Sequence, residues 1–104
     1  MYARVTQLEI DTMRTNVEDM LDLFRQAVLP NLKEQPGYSG VLAMSTPEGK
    51  AVLVSFWASE DAAAARSDGG WYETVLSDFA TFFRSPPGRD HYEVLVSDLP
   101  APVV

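Results

Sequence analysis

The sequence has no cysteine and one histidine, and these two shortages narrow the chemistry open to it. Without cysteine there is no disulfide framework, no thiolate nucleophile and no thiolate metal site. The Gly-x-Ser-x-Gly, Gly-x-Gly-x-x-Gly and His-Glu-x-x-His motifs are also missing, and Gly49-Lys50 lacks the rest of a phosphate-binding loop. The residues therefore argue against hydrolase, dinucleotide, zinc and nucleoside-triphosphate sites.

Basic residues are few and long hydrophobic runs are missing. Eight Lys and Arg stand against 15 Asp and Glu, which gives a net charge of −7, so a nucleic-acid partner is not expected. No run approaches the ~20 apolar residues of a membrane span, and the chain opens on a strand pattern rather than a hydrophobic leader. We expect a cytoplasmic protein without membrane contact. The 104 residues, 46% of them hydrophobic, predict one domain over residues 1–98 and an extended tail over 99–104.

The first half of the chain predicts three strands and one helix. Thr15 and Glu18 form a Thr-x-x-Glu capping box, after which apolar residues recur at helical spacing up to Val28. Pro30 is expected to kink or end this helix. Strands are predicted at Tyr2–Glu9, Tyr38–Thr46 and Ala51–Trp57, and the intervening Thr46-Pro-Glu-Gly49 predicts a tight hairpin turn between the last two.

The second half predicts a split helical region and a last strand. Ser59 is expected to cap a helix that runs to about Arg66. A break at Gly69-Gly70 precedes a second apolar stripe ending near Arg84, and His91–Ser97 reads as a strand. The order β-α-β-β-α-β predicts an α+β, ferredoxin-like antiparallel sheet with both helices on one face.

The third strand is apolar on both of its alternating faces. One face carries Leu53, Ser55 and Trp57, and the other carries Val52, Val54 and Phe56. Because the helices cover only one face of the sheet, an apolar patch is left on the other. We therefore predict a homodimer formed through the sheet faces, with Leu53 or Val54 at the interface depending on which set faces the partner.

Three segments resemble one known family. The opening strand MYARVTQLEI, the helix exit LPNLKEQPGYSG and the junction FWASEDAAAA are similar to the antibiotic biosynthesis monooxygenase-like domains of the dimeric α+β barrel superfamily. The resemblance implies a dimeric barrel. Relatives include cofactor-independent monooxygenases that oxidise polycyclic phenols to quinones, haem-degrading enzymes and small isomerases.

The resemblance transfers to some residues and not to others. Trp57 matches the tryptophan that closes the third strand in quinone-forming and haem-degrading members. Haem degraders bind iron through a histidine on the following helix, where this chain has Arg66 and Ser67. Some quinone-forming members carry an asparagine shortly before this tryptophan, near the position where this chain has Leu53. Because the iron-binding histidine of the haem degraders is missing, we expect no haem, and we also expect no other cofactor and no metal.

The candidate site residues each have a functional and a structural interpretation. Trp57 can stack on a planar ligand or plug a strand end, and Trp71 with Tyr72 can line a pocket entrance or belong to the core. His91 is the natural general base for a phenolic proton, yet a lone histidine opening a strand is often only a surface residue.

The candidate cations are open to the same two interpretations. Arg4 and Arg66 can hold a phenolate or carboxylate through charge-assisted hydrogen bonds, or pair with surface acids.

Two hypotheses of function follow from these residues. The first is a cofactor-independent monooxygenase-like protein that oxidises or binds a small phenolic, polyketide-like or quinol-like molecule. In it Trp57 and Tyr72 hold the ring, His91 or a water molecule takes the proton, and Arg4, Arg66 and Trp71 bind the substrate. The second is a non-catalytic ligand-binding or stress-associated dimer with the same barrel. A cavity beside Trp57 is the observation that both hypotheses require.

Overall fold

The computed structural model describes residues 1–64, 79–84 and 88–99. Its elements are β1 (Tyr2–Glu9), α1 (Val17–Leu23), a π-helical segment (Phe24–Val28), α2 (Leu29–Lys33), β2 (Tyr38–Ser45), β3 (Lys50–Trp57), α3 (Glu60–Ala64), a 3-10 turn (Ala80–Phe82) and β4 (Gly88–Glu93). Three predicted site residues, Arg66, Trp71 and Tyr72, lie outside the described residues, as does most of the predicted tail.

The four strands form one antiparallel sheet in the order β2-β3-β1-β4. The central strand β1 pairs with β3, from Tyr2 opposite Trp57 to Glu9 opposite Lys50, and with β4 on its other side. β2 and β3 form the predicted hairpin. The ferredoxin-like α+β fold with helices on one face of the sheet is therefore confirmed.

The register decides which strand positions face the helices. Trp57 packs in the core against Val28 and Leu32 of the first helical region and Ala63 of α3. Since side chains alternate along a strand, Leu53 lies on the same helix-covered face as Trp57 and Val54 lies on the open face. Of the two positions considered from the sequence, Val54 and not Leu53 therefore lies on the open face.

The first helix starts one residue later than the capping box predicted. Asn16, not Thr15, is the N-cap: its side-chain oxygen accepts a hydrogen bond from the Asp19 backbone N–H at 2.8 Å. The Thr15 N–H donates to the carbonyl of Asp11 in the preceding turn. Asn competes well for the N-cap position because its short side chain reaches the third N–H of the helix.

The helix widens before its proline. Residues 24–28 are π-helical, and the Leu29 N–H donates to the Phe24 carbonyl, one residue further back than in an α-helix. Pro30 then lies in the first turn of α2. The predicted disturbance at Pro30 is therefore present as a π segment, and the helix continues beyond it.

In the second half of the chain, the cap of α3 agrees with its prediction and the bounds of the last strand do not. The Ser59 hydroxyl accepts from the Ala62 N–H at 3.1 Å, which confirms the predicted cap of α3. The last strand spans Gly88–Glu93 rather than His91–Ser97. It ends opposite Tyr2, the first residue of its partner strand β1. One further backbone hydrogen bond, from the Val94 N–H to the Met1 carbonyl, follows.

Candidate functional site

A buried cation–aromatic pair lies near one end of the sheet's helix-covered face. The guanidinium carbon of Arg4 lies 4.7 Å from the ring centroid of Trp57. Both residues are buried, with 5% and 2% of their surface exposed. The pair forms because Tyr2 lies opposite Trp57 in the register, which places Arg4 two residues along β1 on the same face. A guanidinium over an indole face is a favourable electrostatic contact.

Ser55 fixes the other edge of the indole. The Trp57 Nε1–H donates to the Ser55 hydroxyl at 2.8 Å, and Ser55 is itself 4% exposed. Ser55 lies opposite Arg4, and its hydroxyl is 3.5 Å from the Arg4 carbonyl oxygen. Ser55 was not among the residues predicted from the sequence. A serine at an inward position of an otherwise apolar strand, two residues before a tryptophan, was the signal that could have found it.

Tyr38, on β2, packs against the Trp57 indole. Its ring lies 5.8 Å from that of Trp57 at an interplanar angle of 80°, an edge-to-face arrangement. Partial burial raises the pKa of the Tyr38 phenol from its ordinary value of 10.0. The phenol is therefore held in its neutral form more firmly than in water.

His91 lies on β4 directly opposite Arg4. The two residues therefore share the helix-covered face of the sheet. His91 is exposed whereas Arg4 is buried.

An apolar cavity of about 100 Å³ lies between the sheet and the first helical region. Its described lining residues come from β1 to β3, from both parts of the helix before Pro30 and from the turn that follows residue 78: Thr6, Leu8, Ile10, Val17, Met20, Leu21, Phe24, Val28, Ala43, Met44, Ser45, Ala51, Val52, Leu53, Phe79 and Phe83. Thr6 is the buried polar side chain of this set. The cavity opens along β2, where Ala43 and Ser45 are exposed.

The cavity adjoins the Arg4–Trp57 pair without including it. Phe24, Val28 and Phe79 contribute both to the cavity lining and to the packing around Trp57. Arg4, Trp57 and His91 do not line it. The structure therefore brings three sequence-predicted residues, Arg4, Trp57 and His91, to one face, and places the open space further along that face. Thr6 and Phe83 were missed because only the three-dimensional packing reveals the cavity.

Backbone pairing with the residue that follows β1 positions Phe83 at the cavity. Ile10 and Phe83 form an isolated β-bridge, and the Arg84 N–H donates to the Glu9 carbonyl at 2.8 Å. The Asp11 N–H donates to the Phe82 carbonyl at 2.7 Å. These bonds hold one wall of the cavity against the sheet.

Neither a metal cluster nor a membrane helix is found in the part of the chain that the structure describes. Within residues 1–64, 79–84 and 88–99, no three His, Asp or Glu side chains group closely enough to hold a metal ion. No helix among these residues has the length and hydrophobicity to cross a membrane. The expected lack of a metal or cofactor stays a prediction.

No family model and no curated protein matches the sequence. Solved structures do match. One is a protein of unknown function from Nitrosomonas europaea, at 24% identity over 97% of this chain and 95% of that one, with a TM-score of 0.72. Another is a monooxygenase from Streptomyces coelicolor in complex with nanaomycin D, at 18% identity over 96% and 92% of the two chains, with the same TM-score.

A third match is an antibiotic biosynthesis monooxygenase, at 13% identity over 92% of this chain and all of that one, with a TM-score of 0.71. This chain has the fold of the antibiotic biosynthesis monooxygenases. The likeness covers nearly the whole chain, and at these identities it establishes the monooxygenase-type fold and leaves activity to the site. It agrees with the resemblance drawn from the opening strand, the helix exit and the strand-to-helix junction.

Proposed function

We propose that this protein is a homodimeric, cofactor-independent monooxygenase-like protein that binds and oxidises a small phenolic molecule. The observation that carries the proposal is the apolar cavity of about 100 Å³ next to the buried Arg4–Trp57 pair. A dry apolar site with a nearby fixed cation favours formation of a phenolate and its reaction with O₂. A protein of the same fold is a monooxygenase in complex with a ligand.

The proposed reaction needs no reductant besides the substrate. Loss of the phenolic proton gives an electron-rich anion that reduces O₂ directly. At the ring carbon para to the phenolate oxygen, one oxygen atom becomes the second carbonyl oxygen of the product. The other oxygen leaves as water with the hydrogen of that carbon and the phenolic proton, so phenol plus O₂ gives quinone plus H₂O.

The residues on the helix-covered face have distinct roles in this proposal. Arg4 supplies the positive field that favours the phenolate, and Trp57 holds its guanidinium in place. His91, exposed and opposite Arg4, takes the proton and passes it to water. The predicted contributions of Tyr72 to catalysis and of Arg66 and Trp71 to substrate binding belong to the same proposal.

Oxygen uptake decides the catalytic proposal. We expect uptake with some members of a panel of phenols and anthrones, with chelator present and no flavin, metal or haem added. His91→Gln should reduce the rate, whereas Arg25→Gln, a change in an exposed ion pair with Asp22, should not. Rates equal to the protein-free control across the whole panel would reject the catalytic proposal.

The second candidate is a non-catalytic ligand-binding or stress-associated dimer. It is favoured by the fact that Arg4, Trp57 and His91 do not line the cavity. Ligand binding measured by calorimetry without oxygen uptake for any panel member would select this alternative. Oxygen uptake above the control would exclude it.

The homodimer and its interface are also part of the proposal. Leu42, Val54, Phe56 and Tyr92 lie on the open face of the sheet, and Leu42 and Tyr92 are 45% and 53% exposed. A second copy of the same face covers this apolar surface most simply. A cytoplasmic location remains a prediction from the sequence.

A further inference from the structure

The described residues that line the cavity carry no charged side chain. All 16 are neutral, and most are aliphatic or aromatic. An ion moved from water into such surroundings without a partner loses hydration that nothing replaces. The described lining therefore favours a neutral ligand over a carboxylate or an ammonium compound.

The size of the cavity limits the number of rings. An apolar cavity of roughly 150 Å³ is known to accept benzene in another protein. At about 100 Å³, this cavity takes one ring after a small adjustment of its lining. Met20, which lines the cavity, has an unbranched side chain that can make such an adjustment. A fused three-ring molecule needs a space several times larger.

One buried hydroxyl gives the cavity a polar point. Thr6 lines the cavity and is 2% exposed. A hydroxyl carries one donor and two acceptor lone pairs, so Thr6 can engage a ligand hydroxyl in addition to its partner within the protein. The other hydroxyl in the described lining, Ser45, is exposed and donates to the Thr46 carbonyl at 2.8 Å.

We propose that this cavity is a binding site for neutral single-ring phenols, oriented by a hydrogen bond to Thr6. Polycyclic phenols are then poor ligands of this chain. The inference rests on the proposed function in taking the bound phenol as the molecule acted on, but the binding claim itself depends only on the cavity. Entry is along β2, past Ala43.

Titration calorimetry on the wild-type protein tests the site with four probes: p-cresol, toluene, benzoate and anthrone. We expect p-cresol to bind about five-fold more tightly than toluene, the gain of one ordinary hydrogen bond. Benzoate should bind at least tenfold more weakly than p-cresol, and anthrone should give no saturable heat. Equal or tighter binding of anthrone or benzoate, or no binding of either single-ring neutral probe, would overturn the inference.

Variants at Thr6 and Ala43 test separately the Thr6 hydroxyl and the open space of the cavity. Thr6→Val should lower p-cresol affinity to the level of toluene and leave toluene unchanged, while Thr12→Val, an exposed control outside the cavity, changes neither. Ala43→Phe at the exposed mouth should weaken both ligands tenfold or more. Equal loss of p-cresol and toluene in Thr6→Val would contradict the assigned hydrogen bond. If Thr6→Val does not fold, Thr6→Ser must keep the preference for p-cresol.

Oxygen uptake distinguishes failure of this inference from failure of the proposed function. Saturable p-cresol binding with no uptake for any phenol removes the catalytic proposal and leaves the binding site. Uptake with anthrone, together with no single-ring binding, leaves the catalytic proposal and removes the site inferred here.

Discussion

The guanidinium of Arg4 and the indole of Trp57 are stacked 4.7 Å apart on the helix-covered face of the sheet, with both side chains almost wholly buried. Arg4 is attached to the central strand and Trp57 to the end of β3. The contact therefore joins two strands through side chains as well as through the backbone. It also fixes a positive charge close to the apolar cavity.

The Arg4–Trp57 contact should appear as a coupling energy. In a double-mutant cycle with Arg4→Met and Trp57→Phe, we expect a coupling of about 0.5–2 kcal/mol in the free energy of unfolding. The exposed Arg25–Asp22 pair, with Arg25→Met and Asp22→Asn, should give less than about 0.5 kcal/mol under the same denaturant titration. A coupling for Arg4–Trp57 no larger than this control would show that the stacking contributes little.

Ser55 should contribute to stability chiefly by accepting the hydrogen bond of the Trp57 indole N–H. Ser55→Ala removes the acceptor at 2.8 Å and leaves a buried donor, so we expect a loss of about 1–3 kcal/mol in unfolding free energy. In a Trp57→Phe background the donor is gone, and Ser55→Ala should then cost clearly less. The same cost in both backgrounds would assign Ser55 a different role. Urea denaturation followed by circular dichroism measures both.

Gly37 should not tolerate a side chain. Its φ is +80°, and an added Cβ would lie 2.8 Å from the Cβ of Ala62 on α3. We expect Gly37→Ala to lower the unfolding free energy by about 1–3 kcal/mol, because the left-handed backbone and the contact are both unfavourable. Gly88→Ala is the matched control, since nothing lies within 4 Å of its added Cβ. Equal stability of the two variants would contradict this account.

The sequence was sufficient to predict the fold because alternation and turn chemistry are local. β1 was predicted with its observed bounds, Tyr2–Glu9, and the Thr46–Gly49 turn forms the hairpin, with the Gly49 N–H donating to the Thr46 carbonyl at 3.0 Å. The start of the first helix was missed because Thr15 and Asn16 both suit an N-cap, and only the geometry of the preceding turn selects Asn16.

The site was less predictable because it depends on which sheet face the helices cover. Arg4 and Trp57 were identified as candidates, but alternation alone leaves two equivalent faces for β3. Their contact needs the register between β1 and β3. The cavity depends on the volume left between packed side chains such as Phe24 and Phe83, which no sequence pattern records.

Alkaline pH should destabilise the protein through Tyr38. Burial raises the pKa of Tyr38 in the folded state above 10.0, so the unfolded chain loses this proton first as the pH rises. The stability contributed by the neutral phenol is thus present below pH 10 and is lost as the pH rises through the folded-state pKa. Unfolding free energies measured between pH 9 and 11 should fall more steeply in wild type than in Tyr38→Phe. Parallel pH dependences would contradict this origin.

The open sheet face should decide the oligomeric state. Val54 lies on that face among Leu42, Phe56 and Tyr92, and burial of apolar surface contributes ~25 cal/mol per Å². Wild type should therefore sediment at twice the subunit mass of 11.5 kDa. Val54→Asp places an unpaired carboxylate in the interface and should give folded monomer, whereas Gln26→Glu on the exposed π segment should leave a dimer.

Leu53→Asp serves as the contrast on the other face of β3. Because Leu53 lines the helix-side cavity, its replacement by Asp should lower the thermal midpoint by disturbing the packing beneath the helices, with dimerisation affected only through loss of folding. Sedimentation at micromolar protein, paired with circular dichroism, separates these effects. A wild-type species near 11.5 kDa would reject the dimer, and a dimeric Val54→Asp would show that the subunits meet elsewhere.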